Sequence, residues 1–346
     1  MVEKKIYSLL VTLALWGFLL LVSSCDHSTS LPDISEVDVA WRFVPFHKNQ
    51  SKKDSTEVFI SQTLENHPAF GNIFFSNVLP VLNLSTEDKK EVLEDYGFTS
   101  LVDTCSHIYS DISELEEEFD KAFKYYSYYT SDKSIPNVYT FVSGFAYQNF
   151  VFQDGNRDGL GIGLDMYIGS NFPYKSIDPK NPAFSQFLTQ YFDKRYILRK
   201  SLLAWIDDKI EPAQTGQLAE IIIRNGKIIY LLEKILPLSP KDIILEFQPD
   251  EYQWCLMNEP ELWTHLLKNN LLFSNQFTKI NKLVNPAPNA PGIPPEAPGG
   301  VANYIGWRIV QDYMQRSKVS VAELLTTSEF QKILDVSKYR PRVRKD

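Results

Sequence analysis

The run Asp154-Gly155-Asn156-Arg157-Asp158-Gly159 places side-chain oxygens at alternate positions, then a glycine, with Asp165 at the twelfth position of the series. A loop that wraps calcium uses that order of donors, and its glycine makes the sharp turn. Asp154, Asn156, Asp158 and Asp165 are therefore candidate calcium ligands. Two details pull the other way. The eighth position is Gly161, where an apolar residue is usual, and both flanks read as strands. A hairpin turn favours the same residue types, so the run is either a calcium loop or a hairpin.

Other chemistries find less support. Zinc hydrolysis usually uses two histidines one helical turn apart with a glutamate between them. His27, His47, His67, His107 and His265 include no such pair. Gly-Xaa-Ser-Xaa-Gly and the phosphate-binding P-loop pattern are both missing from the sequence. Asp207-Asp208 reads as a solvated helix face. A carboxylate hydrolase would have to draw on Asp158, Asp165 or Glu233. Cys105 and Cys255 either pair as a disulfide outside the cytoplasm or sit apart as small buried apolar groups.

Cys25 is the third cysteine, and its setting is specific. Lys4 and Lys5 precede an apolar stretch from Ile6 to Val22, which leads into Ser23-Ser24-Cys25. A basic start, an apolar middle and small residues before a cleavage point make a secretory signal. A cysteine directly after the small residues is the lipobox pattern. The expectation is cleavage before Cys25, lipid on its sulfur, and a bilayer as the first partner. The apolar stretch is short for a membrane span of roughly 20 residues, and two or more acyl chains anchor where one is marginal. Residues 1–24 are then the signal peptide and 25–35 a lipidated tether, with residues 36–346 forming one globular domain. The tether has no acidic run of the surface-export kind, so the domain is expected to face the periplasm.

The formal net charge of the chain is −8. Loss of Glu3, Lys4 and Lys5 with the leader makes the remainder one unit more acidic. Such a chain does not read as a nucleic-acid binder, which carries a basic patch. With 13% aromatic residues it does read as a packed globular protein.

The order of elements must position any site. Val37 to Phe46 alternates as a strand, and Thr56 to Glu65 reads as a helix. Ser85 opens a helix that Gly97 should stop near Tyr96. Ser113 and Glu116 suggest a capping box for a long helix through Tyr126. Val138–Val142, Tyr147–Phe152 and Ile162–Ile168 read as strands. Helices follow over Tyr196–Ile210, Thr215–Leu236, Glu251–Leu271, Val301–Arg316 and Val321–Leu334. The fold class is thus α+β and mostly helical, with a small mixed sheet in the middle packed by long helices. The Pro-rich stretch 285–300 admits neither helix nor strand. Together with the helix after it, this stretch forms a candidate partner surface. Gly299 and Gly300 allow a sharp turn, and Trp307 and Arg308 are residue types enriched in binding hot spots. Alternatively the loop packs over the core.

Three segments in this order carry a family resemblance. They are Gly161-Ile-Gly-Leu-Asp-Met-Tyr-Ile-Gly169, Arg224-Asn-Gly-Lys-Ile-Ile-Tyr-Leu-Leu-Glu-Lys-Ile-Leu-Pro237, and Pro291-Gly-Ile-Pro-Pro-Glu-Ala-Pro-Gly299 running into Tyr304–Met314. With Tyr252–Cys255, Glu259, Trp263 and the lipobox, they resemble the gliding motility lipoprotein GldB family of the Bacteroidota. The resemblance implies a non-catalytic cell-envelope lipoprotein that supports gliding and the associated protein-secretion machinery, with other envelope proteins as partners and no cofactor. The family often has Arg after Pro-Gly, where this chain has Gly300. The family is also distantly similar to zinc peptidases, whose His-Glu-Xaa-Xaa-His helix would fall near Arg199 to Lys209. That stretch has no histidine here, which implies a zincin-like fold without its metal motif and a cleft still able to take a peptide. The alternatives are a carboxylate-based or degenerate peptidase-like hydrolase, or a calcium- or peptide-binding module.

Overall fold

Four short strands form one mixed sheet because β-branched and aromatic residues recur with period two where apolar groups lie on both sides. They are β1 (Phe43–Val44), β2 (Asn137–Phe141), β3 (Asn149–Asp154) and β4 (Arg157–Gly163). Their order is β1-β2-β4-β3, with β1 and β4 parallel to β2 and β3 antiparallel to β4. Val138 and Val142 face the main core, while Tyr139 and Phe141 face a second cluster rich in phenylalanine. Gly159 and Gly161 are required across the hairpin, because the rings of Phe152 and Phe150 occupy the space a Cβ would need.

The structure is a computed structural model and describes residues 31–51, 55–290 and 292–341. The chain from Ile34 to Asp346 forms one compact unit. Its first helices are α1 (Phe46–Ser51), α2 (Thr56–Asn66), α3 (Pro68–Ile73), α4 (Thr86–Leu93), α5 (Tyr96–Ile108) and α6 (Ser113–Thr130). After the sheet come α7 (Tyr174–Ile177), α8 (Gln186–Thr189), α9 (Ile197–Lys209), α10 (Leu218–Ile235) and α11 (Lys241–Leu245). The last are α12 (Pro249–Met257), α13 (Glu259–Lys268), α14 (Phe277–Val284), α15 (Ala302–Ser317), α16 (Val321–Thr326) and α17 (Phe330–Ser337). The architecture is α+β and mostly helical. Among the described residues, no helix is long and apolar enough to cross a membrane.

Helix α10 is the centre of the main core. Twelve of its residues are buried, including Glu220 and Lys227, and it crosses α15 closely. The crossing is possible because Gly226 and Gly306 meet backbone to backbone. A Cβ on Gly306 would fall on the carbonyl group of Ile222.

Several boundaries differ from the sequence expectation, each for a local reason. Only Phe43–Val44 of the proposed first strand pairs. Asp95 caps a new helix by accepting from the Phe98 amide at 2.9 Å, so α5 runs through Gly97. Ser113 donates to Asp111 and does not close a capping box. The third strand starts earlier, at Arg157, and ends at Gly163 in a 3-10 turn. The stretch from Glu251 divides into two helices at Asn258, with Pro260 beginning the second. The last expected helix divides into α16 and α17, because Thr327 breaks from helical backbone.

Candidate functional site

The expected cation ligands are separated by the fold. Asp154 and Arg157 face each other at the closing pair of the β3–β4 hairpin, with Gly155 at φ +68° and Asn156 exposed in the turn. The Asp154 carboxylate accepts from Asn137 Nδ2 at 2.7 Å and from the Tyr139 hydroxyl at 2.8 Å. Asp158 accepts from Trp205 Nε1 at 3.0 Å and pairs with Lys209 at 3.4 Å. Asp165 is fully buried and accepts from the Ser143 amide and hydroxyl, both at 3.1 Å, and from the Phe145 amide. Burial pushes the Asp165 carboxyl up to about 6 against the pull of these donors. The run is a hairpin whose acids each bond to a different element. Among the described residues, no three His, Cys, Asp or Glu side chains gather to hold a metal ion.

Three further expectations change. Cys105 and Cys255 are separate, buried free thiols rather than a disulfide, and burial raises both well above an ordinary thiol. Glu233 accepts from Trp307 Nε1 at 2.9 Å and pairs with Lys241 at 2.8 Å, so it ties helices together. Trp307 and Arg308 do not form an open surface. Trp307 is only 3% exposed, and Arg308 pairs with the buried Glu259 at 3.3 Å. Their side chains turn inward because the glycine contact with α10 sets the facing side of α15. Cys25 lies outside the described residues.

The Pro-rich loop does border an open space. Asn285 to Gly300 folds back on itself, with the Gly299 amide donating to Ala287 O at 3.2 Å and the Gly300 amide to Lys282 O at 2.9 Å. Gly299 has no room for a Cβ beside the Ala287 backbone, and Gly300 sits at φ +75°. Asn303 then donates to Val284 O at 2.8 Å and accepts from Asn225 Nδ2 at 2.9 Å, which locks the loop to α10 and α15. Opposite stands α9. Between them is a cleft of about 490 Å³.

The cleft is mixed in character. Leu203, Ile228, Ile229 and Val284 give apolar wall, and Ala287, Pro288 and Pro298 contribute the loop side. Its charged floor is Arg199 and Lys200 on α9, both bonded to the Glu246 carboxylate. Arg199 Nε also donates to Ile244 O at 3.1 Å. Glu246 caps α11 in a left-handed conformation, at φ +57°. Burial works to raise its carboxyl, but Lys200 and Arg199 outweigh burial and hold it below the ordinary glutamate value. At one side the Tyr191 hydroxyl donates to Glu251 at 2.8 Å. At the other, Asp207 pairs with Arg224 at 2.6 Å.

Sequence reasoning pointed to Arg199–Lys209 through the resemblance and separately to the Pro-rich loop as a partner surface, but it did not join them into one cleft and missed Glu246. The only signal was a charged residue just after a short helix, where glycine is the common choice. Chemically the cleft can hold an extended chain: apolar wall for side chains, fixed charges for polar groups, and a loop already folded.

A sequence model of the gliding motility protein GldB family matches residues 27–341. Neither a curated protein nor a solved structure matches the chain.

Proposed function

From the premise that the chain belongs to the GldB family of gliding motility proteins, we propose that it is a non-catalytic lipoprotein of the cell envelope. Lipid on Cys25 anchors it, the body faces the periplasm, and it supports gliding and the associated secretion machinery by holding a segment of another envelope protein. The observation that carries this reading is the cleft between α9 and the Pro-rich loop. On α9, the residues lining the cleft include Arg199 and Lys200, joined to Glu246. These are groups that fix a ligand in place. Asp158, Asp165 and Glu233 are each engaged in holding structure together. A proline-rich wall loses little freedom when a partner settles against it, so binding keeps more of the contact energy.

The test uses the full lipoprotein in its own host with a photo-crosslinking residue at Ala204, which lines the cleft. A discrete covalent adduct with another envelope polypeptide is expected. In the Cys25→Ala background both lipid labelling and the adduct should disappear. No adduct from Ala204, alongside one from the exposed Tyr96, would remove the cleft from the account. Normal lipid labelling of Cys25→Ala would remove the anchor.

A further inference from the structure

From Leu262 to Pro295 this acidic chain has no aspartate or glutamate, while it carries Lys268, Lys279 and Lys282. The structure makes part of that run a surface. Helix α13 ends at Lys268, and the connection turns back through the Asn270 amide to Leu267 O at 3.0 Å and the Ser274 amide to Leu271 O at 2.9 Å. Leu271 and Leu272 are buried, and Leu272 O accepts from the Ala219 amide at 2.7 Å, which pins the connection to the start of α10. Leu267, Phe273 and Phe277 are left outside, 48%, 56% and 68% exposed.

Helix α14 continues the pattern. Phe277, Ile280 and Val284 recur at helical spacing. Ile280 is buried, whereas Phe277 at the first position stands in solvent. The apolar stripe of α14 therefore begins outside the body and runs into it. Lys279 and Lys282 are exposed beside it. Aromatic and aliphatic side chains next to lysines, in a run of chain without an acid, suit the headgroup region of a bilayer. The rings enter the acyl boundary and the ammonium groups stay with anionic phosphates.

We propose that the surface formed by Leu267, Lys268, Phe273, Phe277, Lys279 and Lys282 docks on a bilayer carrying anionic lipid. The proposal rests on the anchor reading only in that lipid on Cys25 keeps the body within reach of a membrane. Docking would then fix which way the body faces.

Among the described residues, those packed on the main core begin at Val39, so a chain starting at Asp26 keeps all of them and needs no lipid. This chain is mixed with vesicles of phosphatidylcholine, with or without phosphatidylglycerol, and sedimented. Retention on the anionic vesicles is expected, weakening as salt rises. Lys279→Glu with Lys282→Glu should weaken binding by about 25-fold or more, at about fivefold per lysine near an anionic surface. Phe273→Ser with Phe277→Ser should weaken it by about tenfold. Melting temperatures of both pairs should stay unchanged, since all four side chains are exposed. Absence of binding to anionic vesicles, or binding that both pairs leave intact, would overturn the proposal. Because Cys25 is not in this chain, such a failure is distinct from a failure of lipid labelling.

Discussion

Replacing Gly306 by valine is expected to lower the melting temperature by on the order of 10 °C, or to prevent accumulation of folded protein altogether. Overpacking a core ordinarily costs about 1–3 kcal/mol, because neighbouring side chains can move aside. Here the atom in the way is a backbone carbonyl. A Cβ on Gly306 meets the Ile222 carbonyl, and one on Gly226 meets the backbone of Gly306 and Trp307. Either substitution must push α10 and α15 apart. That separation would also pull Trp307 from Glu233 and Asn303 from Asn225. The cleft should therefore lose its loop wall with the fold. Thermal melts followed by circular dichroism check this. An unchanged transition in Gly306→Val would mean that the helices have space between them which the structure does not contain.

Glu259→Ala is expected to cost about 3–5 kcal/mol, the usual result of stripping one partner from a buried ion pair. Glu259 opens α13 and is 2% exposed. It accepts from the Tyr304 hydroxyl at 2.7 Å and from the Tyr339 hydroxyl at 2.9 Å, and it pairs with Arg308 at 3.3 Å. Two segments distant in sequence, α15 and the stretch after α17, thus converge on one carboxylate of α13. Without it, Arg308 keeps the neutral oxygen of Gln311, and two buried hydroxyls lose their acceptor. Arg308→Ala should cost less, because both tyrosines still donate to Glu259. Denaturant unfolding of both variants measures the difference. Equal losses would show that the tyrosines contribute nothing beyond the ion pair.

These two sites also show what the sequence could and could not reveal. Periodicity found α6, α10 and α15 because each buries a stripe long enough to repeat. It also found β2 and the hairpin, where aromatic and β-branched residues cluster. The Asp154 to Asp165 spacing left two readings open, since turn and calcium loop call for the same residues. In the folded chain Asn137 and Tyr139 hold Asp154, and Ser143 and Phe145 hold Asp165. Those partners lie on other elements, and a local pattern cannot supply them. Gly306 makes its close backbone approach to Ile222 of α10. The neighbouring Trp307 and Arg308 looked like binding residues because type alone does not say which way a helix faces. The Glu246 bond to Arg199 and Lys200 was likewise invisible, because it joins residues 47 and 46 positions apart rather than a spacing along one helix.

On the proposed function, gliding depends on the cleft between α9 and the Pro-rich loop. The most direct measurement is the gliding speed of a strain whose only copy carries Ala204→Trp, with the amount of protein in the membrane fraction matched to the parent. Ala204 is half-buried on the cleft wall, so an indole there occupies the space a partner segment would take. The account predicts loss of gliding with the protein folded and correctly anchored. Gliding at the parental speed with folded, anchored Ala204→Trp would contradict it.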